Sequence, residues 1–132
     1  MSQENVEIVR RAFEAWSAGD VAAAFAEIDA DVVAHRLAPM PDPGTWHGHQ
    51  GLLDVVADWM RTFEEFKMTG EEFIDAGNHV VVRVAQQARG SGSGVPVTAT
   101  FWFVHLLRHR KMVTFDMYAT RRQALEAAGL KE

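Results

Sequence analysis

Residues 95–118 constrain the fold more than any other part of the chain. Two long apolar runs, rich in aromatic and β-branched residues, lie on either side of the short basic break RHRK. This pattern is typical of a β-hairpin. If Arg108 and Lys111 close a two-residue turn, one face is wholly apolar and the other carries titratable groups. The first face then holds Trp102, Val104, Leu106, Val113, Phe115 and Met117, and the second holds Phe101, Phe103, His105, Thr114, Asp116 and Tyr118.

The composition excludes several classes of protein and of site. A net charge of −5 argues against nucleic-acid binding, which requires clustered lysines and arginines. The chain has no cysteine, which excludes a thiolate nucleophile and a disulfide framework and suits a reducing cytoplasm. No apolar run reaches the length of a membrane span, and the first residues read as a helix rather than a signal peptide. We therefore expect one cytoplasmic domain, residues 1–132, with no nucleic-acid or membrane partner.

Apolar periodicity along the chain predicts three helices with one short strand among them, then four strands, then a short helix. Because short turns join the successive strands, the sheet should be antiparallel with helices on one side, an α+β fold. The predicted helices cover residues 6–16, 21–28, 52–66 and 121–128. The predicted strands cover residues 32–36, 67–75 and 80–89 together with the hairpin, and residues 38–51 form a loop.

Five short patterns occur in an order that is informative as a set. They are Ala18-Gly19-Asp20 after the first helix, residues 29–33 before the first strand, residues 46–51 before the third helix, residues 73–82 across a hairpin and residues 124–130 at the end. In this order the chain resembles the SnoaL-like and ketosteroid-isomerase-like branch of the nuclear transport factor 2-like superfamily. The resemblance covers nearly all 132 residues.

This resemblance implies a cone in which three N-terminal helices pack on a curved antiparallel sheet of four long strands plus one short strand. It also implies a pocket at the wide end that needs no cofactor, and a homodimer formed through the outer sheet face. It does not fix the chemistry, because the same scaffold serves isomerases, dehydratases, epoxide hydrolases, polyketide cyclases and binding modules.

Two residues are candidates for proton transfer. By the resemblance, His35 falls where ketosteroid isomerases carry their carboxylate base, and an imidazole is a competent base near neutral pH. Asp116 lies between two apolar neighbours on a predicted strand. The alternatives are a structural histidine at a strand end and an ion pair in a dimer interface. Because Ala12 and Trp102 stand where those isomerases carry their tyrosine and second acid, the sequence argues against steroid-type isomerisation.

Large apolar side chains are the candidates for lining a pocket, and their alternative role is core packing. His47 and His49 have a spacing that suits a metal on a strand, but no carboxylate matches them, and we expect no metal site. The predicted lining residues are Trp16, Trp59, Phe63, Trp102, Met117 and Tyr118.

Two functions remain open at this point. The first is a small cofactor-independent enzyme that moves a proton on a hydrophobic small molecule, as an isomerase, cyclase, dehydratase or hydrolase would. The second is a non-catalytic ligand-binding or dimeric accessory protein. The second function predicts a narrow or filled pocket that no titratable side chain reaches.

Overall fold

The computed structural model describes residues 2–38, 40, 43–61 and 63–131, which form four helices and six strands. Three helices precede most of the strands, and the fourth follows the last strand. The helices are α1 (Ser2–Ser17), α2 (Val21–Ala26), α3 (Gly48–Met60) and α4 (Arg121–Ala127). The strands are β1 (Ile28–Arg36), β2 (Gly44–His47), β3 (Phe63–Ala76), β4 (His79–Gly90), β5 (Pro96–Arg108) and β6 (Lys111–Tyr118).

The six strands form one sheet in the order β2-β1-β6-β5-β4-β3. The predicted α+β architecture, with three N-terminal helices on a sheet, is confirmed. The prediction of a purely antiparallel sheet is wrong, because β1 pairs with β6 in parallel. A parallel pair needs a long connection, and the chain from 37 to 110 supplies it.

The sheet also has one more strand than predicted. β2 lies within residues 38–51, which were predicted as a loop, and it pairs antiparallel with β1. Residues 39, 41 and 42 of that predicted loop lie outside the described residues. The prolines that suggested a loop precede β2, Gly44 begins it, and the strand itself has only four residues. So short a segment leaves little periodicity to detect.

The boundaries of α3 differ from the prediction as well. The helix ends at Met60, and β3 begins at Phe63, where the sequence predicted helix up to residue 66. Phe63 and Glu64 pair with Gly90 and Arg89 of β4. Strand pairing therefore overrides the helical spacing of the apolar residues at this point.

A β-bulge in the β5–β6 hairpin changes which side chains share a face. Leu107 pairs with Met112, but Val104 pairs with Asp116, so β6 contains one extra residue between these pairs. The predicted faces assumed no bulge. Because side chains alternate along a strand, the extra residue reverses the face of all that follows it. Phe115 consequently lies on the face of Phe103 and His105, with its ring 5.2 Å and 4.4 Å from theirs.

The hairpin turn has two residues, the length on which the predicted faces were conditioned. His109 and Arg110 have φ values of 49° and 63°, the left-handed region that a type I′ turn requires at both positions. Glycine and asparagine tolerate this region better, so the backbone of the turn is strained. The ladder pairs on both sides hold the turn in this conformation.

Helices cover both faces of the sheet. The inner face packs against α1 and α3 through residues such as Val9 and Leu52. The outer face packs against α4 through Trp102, Val104 and Leu125. Thr120 begins α4 with a capping box. Helix α4 therefore covers part of the outer sheet face, through which the homodimer was predicted.

No helix within the described residues is long and apolar enough to cross a membrane.

Candidate functional site

A cavity of about 90 Å³ lies between the first three helices and the inner face of the sheet. Its walls are almost wholly apolar and strongly aromatic. Helices α1, α2 and α3 contribute one side, and strands β1, β3, β5 and β6 contribute the other. Representative lining residues are Phe13, Phe25, Val56, Met68, Phe101 and Phe115.

Three of the predicted lining residues line this cavity. Trp16 of α1 and Trp59 of α3 form part of its helical side, and Met117 of β6 forms part of its sheet side. The two tryptophans were identified from helical spacing, which places them on the buried face of their helices. Met117 reaches the inner face only because of the bulge in β6.

The other three predicted lining residues do not reach the cavity. Trp102 and Tyr118 pair with each other across β5 and β6 on the outer face, and the Arg121 guanidinium lies 5.2 Å from the Trp102 ring. Burial, followed by the charge of Asp116, raises the pKa of Tyr118. Phe63 lies in β3, with its ring 5.4 Å from that of Trp59. The bulge explains the error for Tyr118, and the early end of α3 explains the error for Phe63.

The two predicted proton-transfer residues contact each other but lie outside the cavity. His35 Nδ1 and Asp116 Oδ1 are 2.7 Å apart, and β1 and β6 place the two residues side by side. Their side chains are 39% and 23% exposed. Ala34 and Arg36, on either side of His35, line the cavity instead. The expected position of His35 in the pocket is therefore wrong, because alternation along β1 points its side chain to the outer face.

Arg36 is the charged residue in the described lining, and the sequence did not reveal it. Its side chain is only 1% exposed, and its Nη1 lies 3.5 Å from Asp58 Oδ2. The guanidinium carbon lies 4.9 Å from the ring of Trp46 and 4.7 Å from that of Trp59. Two aromatic faces thus hold a cation in the cavity wall. The sequence around a buried arginine on a short strand does not differ from the sequence around an exposed one.

A second polar residue lies beside the cavity on β4. Gln86 is 1% exposed, and its Oε1 accepts a hydrogen bond of 2.7 Å from Trp59 Nε1. Its Nε2 has no hydrogen-bond partner in the part of the chain that the structure describes. Gln86 Nε2 is thus a buried donor without a partner, in a side chain that contacts the aromatic wall through Trp59.

His105 is the most deeply buried titratable group on the inner face. Its Nδ1 lies 3.0 Å from the carbonyl oxygen of Thr114, which can only accept, so Nδ1 carries the proton. The rings of Phe13, Phe103 and Phe115 surround it. Burial lowers the pKa of His105 to about 4, although the bond to Thr114 acts in the opposite direction. A neutral His105 therefore supports the bulge, because it donates a hydrogen bond to the backbone carbonyl of Thr114 within it.

Metal binding finds no support among the described residues, where no group of three or more potential ligands occurs. His49 Nε2 lies 2.9 Å from the carbonyl oxygen of Ile28, and its ring packs 4.5 Å from that of Phe25. His47 precedes α3 without capping it. The two histidines therefore make different local contacts and do not converge on one point.

A family model described as the SnoaL-like domain matches residues 9–114. The chain belongs to this family. The match covers most of both cavity walls, from α1 to the middle of β6. No curated protein matches the chain.

Solved structures extend the likeness to the whole SnoaL-like fold. An NTF2-like protein of unknown function from Burkholderia pseudomallei K96243 is 23% identical, with a TM-score of 0.76 over 93% of this chain and 95% of that one. A Catenulispora acidiphila protein with a ketosteroid isomerase-like fold, in complex with trimethylamine, is 20% identical, with a TM-score of 0.70 over 94% and 93%. A putative SnoaL-like polyketide cyclase from Jannaschia sp. CCS1 is 18% identical, with a TM-score of 0.72 over 96% and 91%. These likenesses confirm the predicted fold family.

Proposed function

We propose that this SnoaL-like protein binds a small, flat, hydrophobic molecule in the cavity between its helices and the inner sheet face. The observation that carries the proposal is the lining, in which aromatic and aliphatic side chains surround an empty space with Arg36 in its wall. Ligand sites are typically concave and apolar, with few polar groups. The similar Catenulispora protein in complex with trimethylamine supports a small organic ligand.

The lining favours binding over proton transfer inside the cavity. Arg36 is the one titratable residue in the described lining, and a guanidinium keeps its proton in proteins. The described walls thus offer no general base. The volume of about 90 Å³ is also narrow compared with a 150 Å³ cavity that admits benzene. We therefore expect a ligand of about one ring, or a larger ligand that displaces a flexible side chain such as Met68.

Filling the cavity should abolish binding. We expect Val56→Phe to weaken the binding of benzene and toluene at least about tenfold, because the added ring occupies the space that the ligand needs. Calorimetry or amide chemical shifts would measure the affinity. Val33→Phe is the matched control, since Val33 belongs to β1 but not to the described lining. Equal affinity in the Val56→Phe protein, or no binding by the wild type, would overturn the proposal.

The His35–Asp116 pair supports a second candidate function, which is acid–base chemistry on the outer face. A carboxylate that orients an imidazole at 2.7 Å is a recurring arrangement in acid–base catalysis. The pair would act on a molecule bound to the sheet rather than in the cavity. The homodimer through this face stays a prediction.

The rate of p-nitrophenyl acetate hydrolysis measures whether the pair contains a reactive imidazole. For this candidate we expect His35→Gln and Asp116→Asn each to lower the rate at least about tenfold. Both variants should bind benzene like the wild type, because neither residue lines the cavity. His109→Asn, which removes an exposed imidazole elsewhere, is the control. If His35→Gln and His109→Asn lower the rate equally, the pair has only a structural role.

A further inference from the structure

The amide of Gln86 has a fixed orientation. The indole N–H of Trp59 can only donate, so the atom of Gln86 that lies 2.7 Å from it must be the oxygen. The amide nitrogen therefore points away from Trp59. This nitrogen is buried and has no partner among the described residues.

An unpaired buried donor is costly to keep. Leaving such a group without a hydrogen bond costs about 1–3 kcal/mol. Holding the Trp59 indole requires only an acceptor, which an amide oxygen supplies. The second half of the amide has no role in that contact. It remains available for a group that is not part of the chain.

Register places Gln86 beside the cavity. Gln86 pairs with Met68 of β3, so the two side chains share a face of the sheet, and Met68 lines the cavity. Val84, two residues earlier on β4, belongs to the inner core and pairs with Phe101, another lining residue. Gln86 is not part of the described lining itself, but its side chain contacts Trp59, which is. For the amide nitrogen of Gln86 to reach a ligand in the cavity, the flexible Met68 side chain has to move.

We infer that the ligand of this cavity is a carbonyl compound, and that Gln86 Nε2 donates a hydrogen bond to its oxygen. The inference rests on the proposed binding function and names the chemical class of ligand and the residue that selects it. The Arg36 guanidinium, which belongs to the same cavity wall and lies 4.7 Å from the Trp59 ring, favours the partial negative charge of a carbonyl oxygen. The apolar body of the ligand occupies the space between the aromatic rings.

Two ligands of equal shape test this inference. Cyclopentanone and methylenecyclopentane differ only in a carbonyl oxygen that replaces a methylene group. We expect the ratio of their affinities to shift about three- to tenfold against cyclopentanone in a Gln86→Met protein. The lost acceptor for Trp59 affects both ligands equally and cancels in the ratio. Gln87→Met, which alters an exposed residue on the same strand, is the control.

Nuclear magnetic resonance gives a second readout that needs no variant. In the wild type, the side-chain amide protons of Gln86 should shift downfield with cyclopentanone but not with methylenecyclopentane. If both ligands bind and neither the shift nor the ratio distinguishes them, the role of Gln86 is wrong while the binding function survives. If neither these ligands nor benzene binds, both proposals are wrong.

Discussion

Lowering the pH from 7 to 4 should reduce the free energy of unfolding by about 3 kcal/mol through His105 alone. The imidazole takes up its proton near pH 6.5 when unfolded, but its pKa falls to about 4 in the folded protein because it is buried. As the pH falls, the unfolded state therefore binds the proton first and is stabilised. The contribution of His105 to stability is complete above pH 6.5 and is lost as the pH approaches 4.

Urea unfolding of the wild type and of a His105→Gln protein across this range would measure the effect. The difference between the two free energies should change by about 3 kcal/mol between pH 7 and pH 4, because carboxylates contribute to both proteins alike. His109→Asn removes an exposed histidine of the turn and should leave the wild-type dependence unchanged. Parallel pH curves for the wild type and His105→Gln would show that His105 is protonated without penalty.

Replacing Thr114 by valine should lower the free energy of unfolding by about 2 kcal/mol. Thr114 Oγ1 accepts a hydrogen bond of 2.8 Å from the backbone N–H of Leu106, at the bulge where the ladder between β5 and β6 is interrupted. Valine has the same shape but no acceptor, so this partly buried N–H loses its partner. Chemical or thermal unfolding would measure the loss.

Two further variants separate the hydrogen bond from other effects of the substitution. Thr114→Ser keeps the hydroxyl and should recover most of the stability. Thr100→Val makes the same change at an exposed position of β5 and should alter stability by less than about 0.5 kcal/mol. A loss in Thr114→Val no larger than in Thr100→Val would mean that the hydroxyl does not support the bulge.

Much of the fold could be predicted from local pattern. Apolar spacing at 3.6 residues identified α1 and placed Trp16 on its buried face, and alternation identified β4 and the hairpin of β5 and β6. Short elements and pairings between distant segments could not be predicted. β2 is only four residues long, and the parallel pairing of β1 with β6 leaves no trace in either strand.

The candidate site was harder to predict than the fold. Trp16, Trp59 and Met117 were expected in the lining and are found there. Arg36 and Gln86 carried no signal, since an arginine or a glutamine on a strand is usually exposed. His35 was expected at the cavity and lies on the outer face beside Asp116.

The sequence by itself determined the types of most elements, the family and the apolar character of the interior, because each depends on residues close together in the chain. Only the tertiary structure decided which polar side chains reach the cavity. A strand turns alternate side chains to opposite faces, so one extra residue at the bulge moves Asp116 out and Met117 in. That residue is accommodated by contacts between β5 and β6, and no local pattern contains them.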